Sequence, residues 1–265
     1  MRLTLLLSFL FITVFVNAQK KDVEVFHQAQ DDGTLFIMAK NNTDVLQSVV
    51  VNIILKGMES SEPLPVTKLL EPKKESRITI LKPVKKSYSY NTQLSYIKGD
   101  ITANHNDQVV YQLPYKSGES YKIDQGYNGT STHMGKFALD FHMDEGTEVC
   151  AIRDGVVFEV QESNNRGCPS NDCSKFNNFI LVRHDDGSIA DYSHIKKNGA
   201  LVKTGDQVKA GDVIALSGST GYASGPHLHL EVYVMRLNGQ NSVKAQYQLG
   251  NSAGIPKEGE SYRKN

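Results

Sequence analysis

Apolar residues along this chain come in short runs, not in helical periods. Between Val23 and Tyr111, runs rich in β-branched and aromatic residues fall at 23–28, 34–39, 48–55, 76–81 and 92–97, and several alternate apolar with polar positions. A period of two marks a strand with one buried face. Turn-forming clusters separate the runs: Asp31-Asp32-Gly33, Lys40-Asn41-Asn42 and Glu71-Pro72-Lys73-Lys74. The pattern predicts an N-terminal β-sandwich, immunoglobulin-like, over residues 19–112.

The stretch "LPYKSGESYKIDQGYNG" that follows reads as a polar bridge. A second β-rich region comes after it, with strands expected at 137–141, 148–151, 155–161, 178–183, 189–194, 213–217 and 229–235 and glycines between them. This predicts a second, compact antiparallel β domain over 113–240. Residues 241–265 are polar and predict a mobile tail. The whole chain is expected to be all-β.

Composition narrows the class. Lys+Arg and Asp+Glu are both 29, a formal net charge of zero, which gives no reason to expect nucleic acid or an anionic membrane as partner. Residues 1–18 differ from the rest. Arg2 precedes an apolar run from Leu3 to Val16, and a small residue, Ala18, precedes Gln19. The pattern predicts a cleavable signal peptide, a mature chain starting near Gln19 with no membrane span, and a secreted or periplasmic location. No cysteine follows the run, which argues against a lipid anchor there. Cys168 and Cys173, in the loop-like "GCPSNDC", are candidates for a disulfide in an oxidising compartment. The alternative, half a zinc site, lacks a second pair. Cys150, in an apolar strand, reads as a buried free thiol.

Six of the eight histidines fall at or after His133, and their companions suggest chemistry. In "STHMGKFALDF", His133 sits at a turn and Asp140 on the following strand. A histidine nitrogen and a carboxylate oxygen are good zinc ligands, and catalytic zinc takes three protein ligands. The third can come from "HLH", where His227 and His229 share a strand face and one binds while the other acts as acid or base. In "DYSHI", alternation places Tyr192 and His194 on one face. There Tyr192 is expected to hydrogen-bond a developing negative charge. His27, His105 and His184 lack such companions and read as surface or structural.

Taken together, "H-x-G…DF", "YSHI" and "SGPHLHLEV" resemble the lysostaphin-type zinc endopeptidases, which cut peptide cross-links of bacterial peptidoglycan. "GTEVCAIRDGVV" and "VKTGDQVKAGDVIALSGSTG" resemble that family's framework, so the likeness covers about half the chain. It implies a Zn2+ cofactor held by His133, Asp140 and His229, catalytic roles for His194 and His227, and peptidoglycan as partner. One spacing departs from the pattern: six residues separate His133 from Asp140, against three in the usual motif. His142, two residues beyond Asp140, is the rival ligand, and Gly135 following His133 favours His133. A non-catalytic relative that regulates other wall hydrolases is the alternative function. Run "VKTGDQVKAGDVIA" also resembles lipoyl and biotinyl carriers, but no lysine stands where they are modified. The bond cut is open between glycine-rich bridges and the direct cross-link of D-alanine to a diamino acid. A signal ending in "NAQ" points towards the second.

Overall fold

The computed structural model describes residues 21–265. The signal peptide expected at 1–18 lies outside the described residues. Nearly all regular structure is β, and none of the described helices is long and apolar enough to cross a membrane.

Seven strands form the N-terminal half: β1 (Val23–Ala29), β2 (Leu35–Asn41), β3 (Gln47–Lys56), β4 (Met58–Ser60), β5 (Val66–Leu70), β6 (Glu75–Pro83) and β7 (Ser89–Lys98). They pair in the orders β1-β2-β6-β4 and β5-β3-β7. Alternation explains the core between the two sheets. Ile37 and Ala39 of β2 and Val49, Val51 and Ile53 of β3 point inward and are buried with Leu70, Ile78 and Leu81. The short β4 and β5 escape the sequence pattern because they bury few apolar side chains.

The second half contains β8 (Val110–Tyr111), β9 (Ser120–Gln125), β10 (Ala138–Phe141), β11 (Glu148–Cys150), β12 (Gly155–Gln161), β13 (Gly167–Cys168), β14 (Phe179–Arg183), β15 (Ile189–Ser193), β16 (Ile195–Ala200), β17 (Gln207–Val208), β18 (Val213–Ser217), β19 (Gly221–Tyr222), β20 (Leu228–Arg236), β21 (Gly239–Ser242), β22 (Gln246–Leu249), β23 (Ser252–Gly254) and β24 (Ser261–Arg263). Its main sheet runs β17-β12-β14-β15-β20-β10-β9-β24, with β21 added on β20.

The two faces of this sheet differ in kind. Leu228, Leu230 and Val232 of β20, with Ala190 and Tyr192 of β15, point into the core. His229, Glu231 and Tyr233 alternate onto the opposite face. One end of that face is capped by the N-terminal half, where Val45 and Leu46 pack on Phe158, Ile189 and Tyr233. Lys98 adds an ion pair to Glu159 at 2.9 Å, and Arg236 donates to the carbonyls of Ile101 and Ala103. His229 lies towards the other end.

Two expectations need correction. The polar bridge is not a linker: its residues 120–125 form β9, which pairs with β10. Residues 241–265 are not a loose tail. β24 pairs with β9, Tyr247 is buried in the main core, and Lys264 donates to the Leu113 carbonyl at 2.9 Å. Both segments look polar because tyrosines supply much of their buried surface, beside a few aliphatic residues such as Leu113, Ile123 and Ala245. Tyr115, Tyr121, Tyr247 and Tyr262 all pack on the core.

Candidate metal centre

Strand register assembles the site. Antiparallel pairing sets Asp140 of β10 opposite His229 of β20, and Ser193 of β15 opposite His229 from the other side. A central strand thus receives a carboxylate from one neighbour and the end of β15 from the other. His133 arrives from the loop before β10 and is fully buried. Its Nδ1–H donates to the Gly126 carbonyl at 3.0 Å, which leaves Nε2 free to point at the other two residues.

His133, Asp140 and His229 offer three ligand atoms in a small triangle. His133 Nε2 lies 3.2 Å from His229 Nδ1 and 3.2 Å from Asp140 Oδ1, and His229 Nδ1 lies 3.0 Å from the same oxygen. An ion bound tetrahedrally at about 2.0–2.1 Å spaces its ligands about 3.3–3.4 Å apart, so little contraction or expansion is needed. The six-residue gap does not keep His133 from the triangle. The extra residues form a turn, closed by Lys136 N–H donating to the His133 carbonyl, with Gly135 at φ 73°.

Without a metal, this cluster polarises itself. Burial disfavours the Asp140 carboxylate, but hydrogen bonds from His133 and His229 prevail and hold its pKa well below the usual carboxylate range. Burial likewise disfavours a proton on His229, but the hydrogen-bonded Asp140 carboxylate and nearby Glu231 outweigh it and raise the pKa to about 10.

Two further histidines stand beside the triangle. The rings of His194 and His227 lie 4.6 Å apart between centroids, and His194 lies 5.8 Å from His229. His227 Nε2 is 3.9 Å from Asp140 Oδ1. Each ring has its Nδ1–H tied to a backbone carbonyl, His194 to Thr220 at 2.7 Å and His227 to Gly225 at 2.9 Å. Both therefore carry their lone pair on Nε2. Burial, and then the neighbouring His227 and His229, push the pKa of His194 down to about 3.

Tyr192 is not part of this group. It is fully buried in the core, opposite Leu230, and its hydroxyl accepts from the Ile152 N–H at 2.8 Å. The expected sharing of a face with His194 fails because His194 has φ 66°, a left-handed conformation that turns it out of the strand alternation. His142, the rival ligand, is excluded too. A register shift between Asp140 and Phe141 breaks the alternation, and His142 pairs at the surface with Asp124 at 2.7 Å.

Several supporting residues carried no sequence signal. Gln125 donates to Asp140 Oδ2 at 3.1 Å, while its carbonyl oxygen accepts from the N–H groups of Ser131 and Thr132, fixing the loop that leads to His133. Asn177 accepts the N–H of His194 at 3.1 Å and donates to Ser193. Gly221 lies so close to Asn177 that a Cβ would come within 2.8 Å of its Cα. Cys168 and Cys173 are joined as a disulfide, and β13 pairs with β19 beside the Thr220 carbonyl that holds His194. Cys150 is free and buried, as expected. The site opens onto clefts on both sides, one of about 390 Å³ bordered by Asp124, Thr130 and Tyr222, the other of about 570 Å³ bordered by Asn177, Phe179 and Asp191.

Comparison with known proteins matches this region to a family. Residues 131–244 match Peptidase family M23. An uncharacterized metalloprotease of Buchnera aphidicola subsp. Baizongia pistaciae (strain Bp) is 42% identical over 217 residues, covering 78% of this chain and 48% of that protein. The glycyl-glycine endopeptidase ALE-1 of Staphylococcus capitis is 38% identical over 130 residues, covering 49% and 32%. The peptidoglycan DD-endopeptidase ShyA of Vibrio cholerae serotype O1 (strain ATCC 39315 / El Tor Inaba N16961) is 35% identical over 118 residues, covering 44% and 24%. The chain thus spans half or less of the length of each of these relatives.

Proposed function

Because residues 131–244 match Peptidase family M23, we propose that the chain is a zinc endopeptidase that hydrolyses peptide cross-links of peptidoglycan. The observation that carries this reading is the triangle of His133, Asp140 and His229, at separations suited to a tetrahedral ion. Two imidazoles and one carboxylate are a donor set that zinc favours. Bound there, zinc supplies Lewis-acid activation of a water and of a peptide carbonyl.

The remaining work falls to side chains. His227, with Nε2 nearest the triangle, takes the proton of the attacking water. His194, neutral through the whole physiological range, presents a second Nε2 that accepts a hydrogen bond from the attacking water and orients it, while the proton taken by His227 passes to the leaving amine. The backbone carbonyls of Thr220 and Gly225 fix both rings in the tautomer this requires. Clefts on both sides of the centre suit a peptide lying across it.

Export to the periplasm or the cell exterior fits the signal-like first 18 residues and the Cys168–Cys173 disulfide. We read the N-terminal half, two sheets over one core, as an immunoglobulin-like sandwich that walls one end of the catalytic face. The test is direct. Purified protein should carry about one zinc per chain and release peptides from peptidoglycan sacculi. His229→Ala should lose both properties. Retention of both by that variant would overturn the reading.

A further inference from the structure

Two carboxylates beside the triangle take no part in this proton traffic. The register of β15 and β20 sets Asp191 directly opposite Glu231, and both line the pocket around His229. Like charges facing each other across an antiparallel pair are destabilising. Burial sharpens the cost. Glu231 is 6% exposed, and His229, Lys136 and the Ser242 hydroxyl meet its carboxylate only at long range. The nearest nitrogens are His229 Nε2 at 3.9 Å and the half-exposed Lys136 Nζ at 4.0 Å, both outside hydrogen-bonding distance. Asp191 accepts the Ser193 hydroxyl at 2.6 Å, which satisfies one lone pair and neutralises no charge.

The position of this pair is as informative as its charge. Asp191 stands where the pocket around the triangle meets the cleft of about 570 Å³, and it borders both. The other polar groups there, Gln161, Asn164, Asn177 and Gln240, are uncharged, and Lys175 is the one cation among the residues bordering that cleft. A cation entering from the cleft would meet two carboxylates a short distance from the reacting centre.

We propose that Asp191 and Glu231 form a subsite for a primary ammonium group of the peptide substrate, and so help decide which peptides are cut. The inference rests on the endopeptidase reading for its substrate class. The ammonium can come from a free peptide N-terminus or from the side chain of a diamino acid. An ammonium held by a desolvated carboxylate makes a charge-assisted hydrogen bond, about twice as strong as a neutral one.

Calorimetric titration of the zinc-loaded full chain tests this with two pairs of probes. One pair is tetraglycine and N-acetyltetraglycine. The other is a terminally blocked tetrapeptide with one lysine-type side chain, its amine free or acetylated. We expect the free amine to bind about tenfold more tightly than its acetylated form in one pair, and that pair identifies the source. Asp191→Asn should reduce the preference to about twofold or less while keeping zinc content and binding of the acetylated form. Asp191→Glu should restore part of the preference. Equal binding of free and acetylated forms by the wild type in both pairs would overturn the subsite. So would an Asp191→Asn variant that weakens both forms equally, which marks a structural role. Failure of the endopeptidase reading shows separately, as absence of zinc or of peptide release, because binding preference does not require turnover.

Discussion

The two halves of this chain are built from the same material and put it to different uses. Each is a set of twisted strands around an alternating apolar core, and each buries polar side chains. In the N-terminal half those side chains serve the backbone beside them. Asn41, fully buried, donates to the carbonyls of Val45, Leu70 and Glu71 and accepts from Thr43, so it closes the loops between strands. The second half has such groups too, Asn178 and His184 among them, but it also has buried polar groups that converge on one another. His133, Asp140 and His229 form a cluster in which three possible ligand atoms face one another. A buried polar group that hydrogen-bonds its own backbone is a structural device. A set of them aimed at one point, with unfilled lone pairs, is a functional one.

This contrast makes measurable claims. The largest effect should come from His227→Ala and His194→Ala. Each is expected to retain zinc and a wild-type melting temperature while lowering kcat by about 10²–10⁴, the usual worth of a general acid or base. Steady-state hydrolysis with metal analysis on the same samples decides it, and loss of zinc would move the residue into the ligand set. Asn41→Ala should do the reverse. It leaves several buried carbonyls without a donor and should cost about 2–3 kcal/mol in denaturant unfolding, with zinc content unchanged. Tyr192→Phe is a control within the catalytic half. Removing the acceptor of the Ile152 N–H should cost about 1–2 kcal/mol of stability and leave kcat per zinc untouched. A large fall in kcat would return Tyr192 to the site.

The smallest expected effect concerns acid. His184 is buried with Nδ1–H on the Asp154 carbonyl, and burial lowers its pKa to about 4. A histidine whose folded pKa lies below its unfolded value of about 6.5 contributes stability that is complete above pH 6.5 and is lost as pH falls towards 4. Denaturation midpoints of His184→Gln should therefore fall less between pH 6.5 and 4 than those of the wild type.

Much of the scaffold was legible because alternation is a local property. The longer strands, such as β3, β12 and β20, carry their buried face in their own residues. Candidates for the triangle were legible for another reason: the HLH pair and the strand "ALDF" each bring metal-binding side chains within a few residues, and the family resemblance chose among them. The segments misread as bridge and tail failed because their strands are short and mostly polar, and β24 finds its partner β9 far away in sequence.

The sequence by itself determined which residue types were available to bind a metal and the strands that carry Asp140 and His229. It also determined that Leu228 and Leu230 would anchor those strands in a core. Tertiary structure alone decided that His133 reaches the triangle across its longer turn, that His142 does not, and that His194 turns into the site while Tyr192 stays in the core. It also decided that Gln125 and Asn177 hold the site from strands and loops remote in sequence. The physical reason is that spacing constrains neighbours along one strand. The register between strands, a bulge, or one residue at positive φ redirects a side chain without altering the pattern around it.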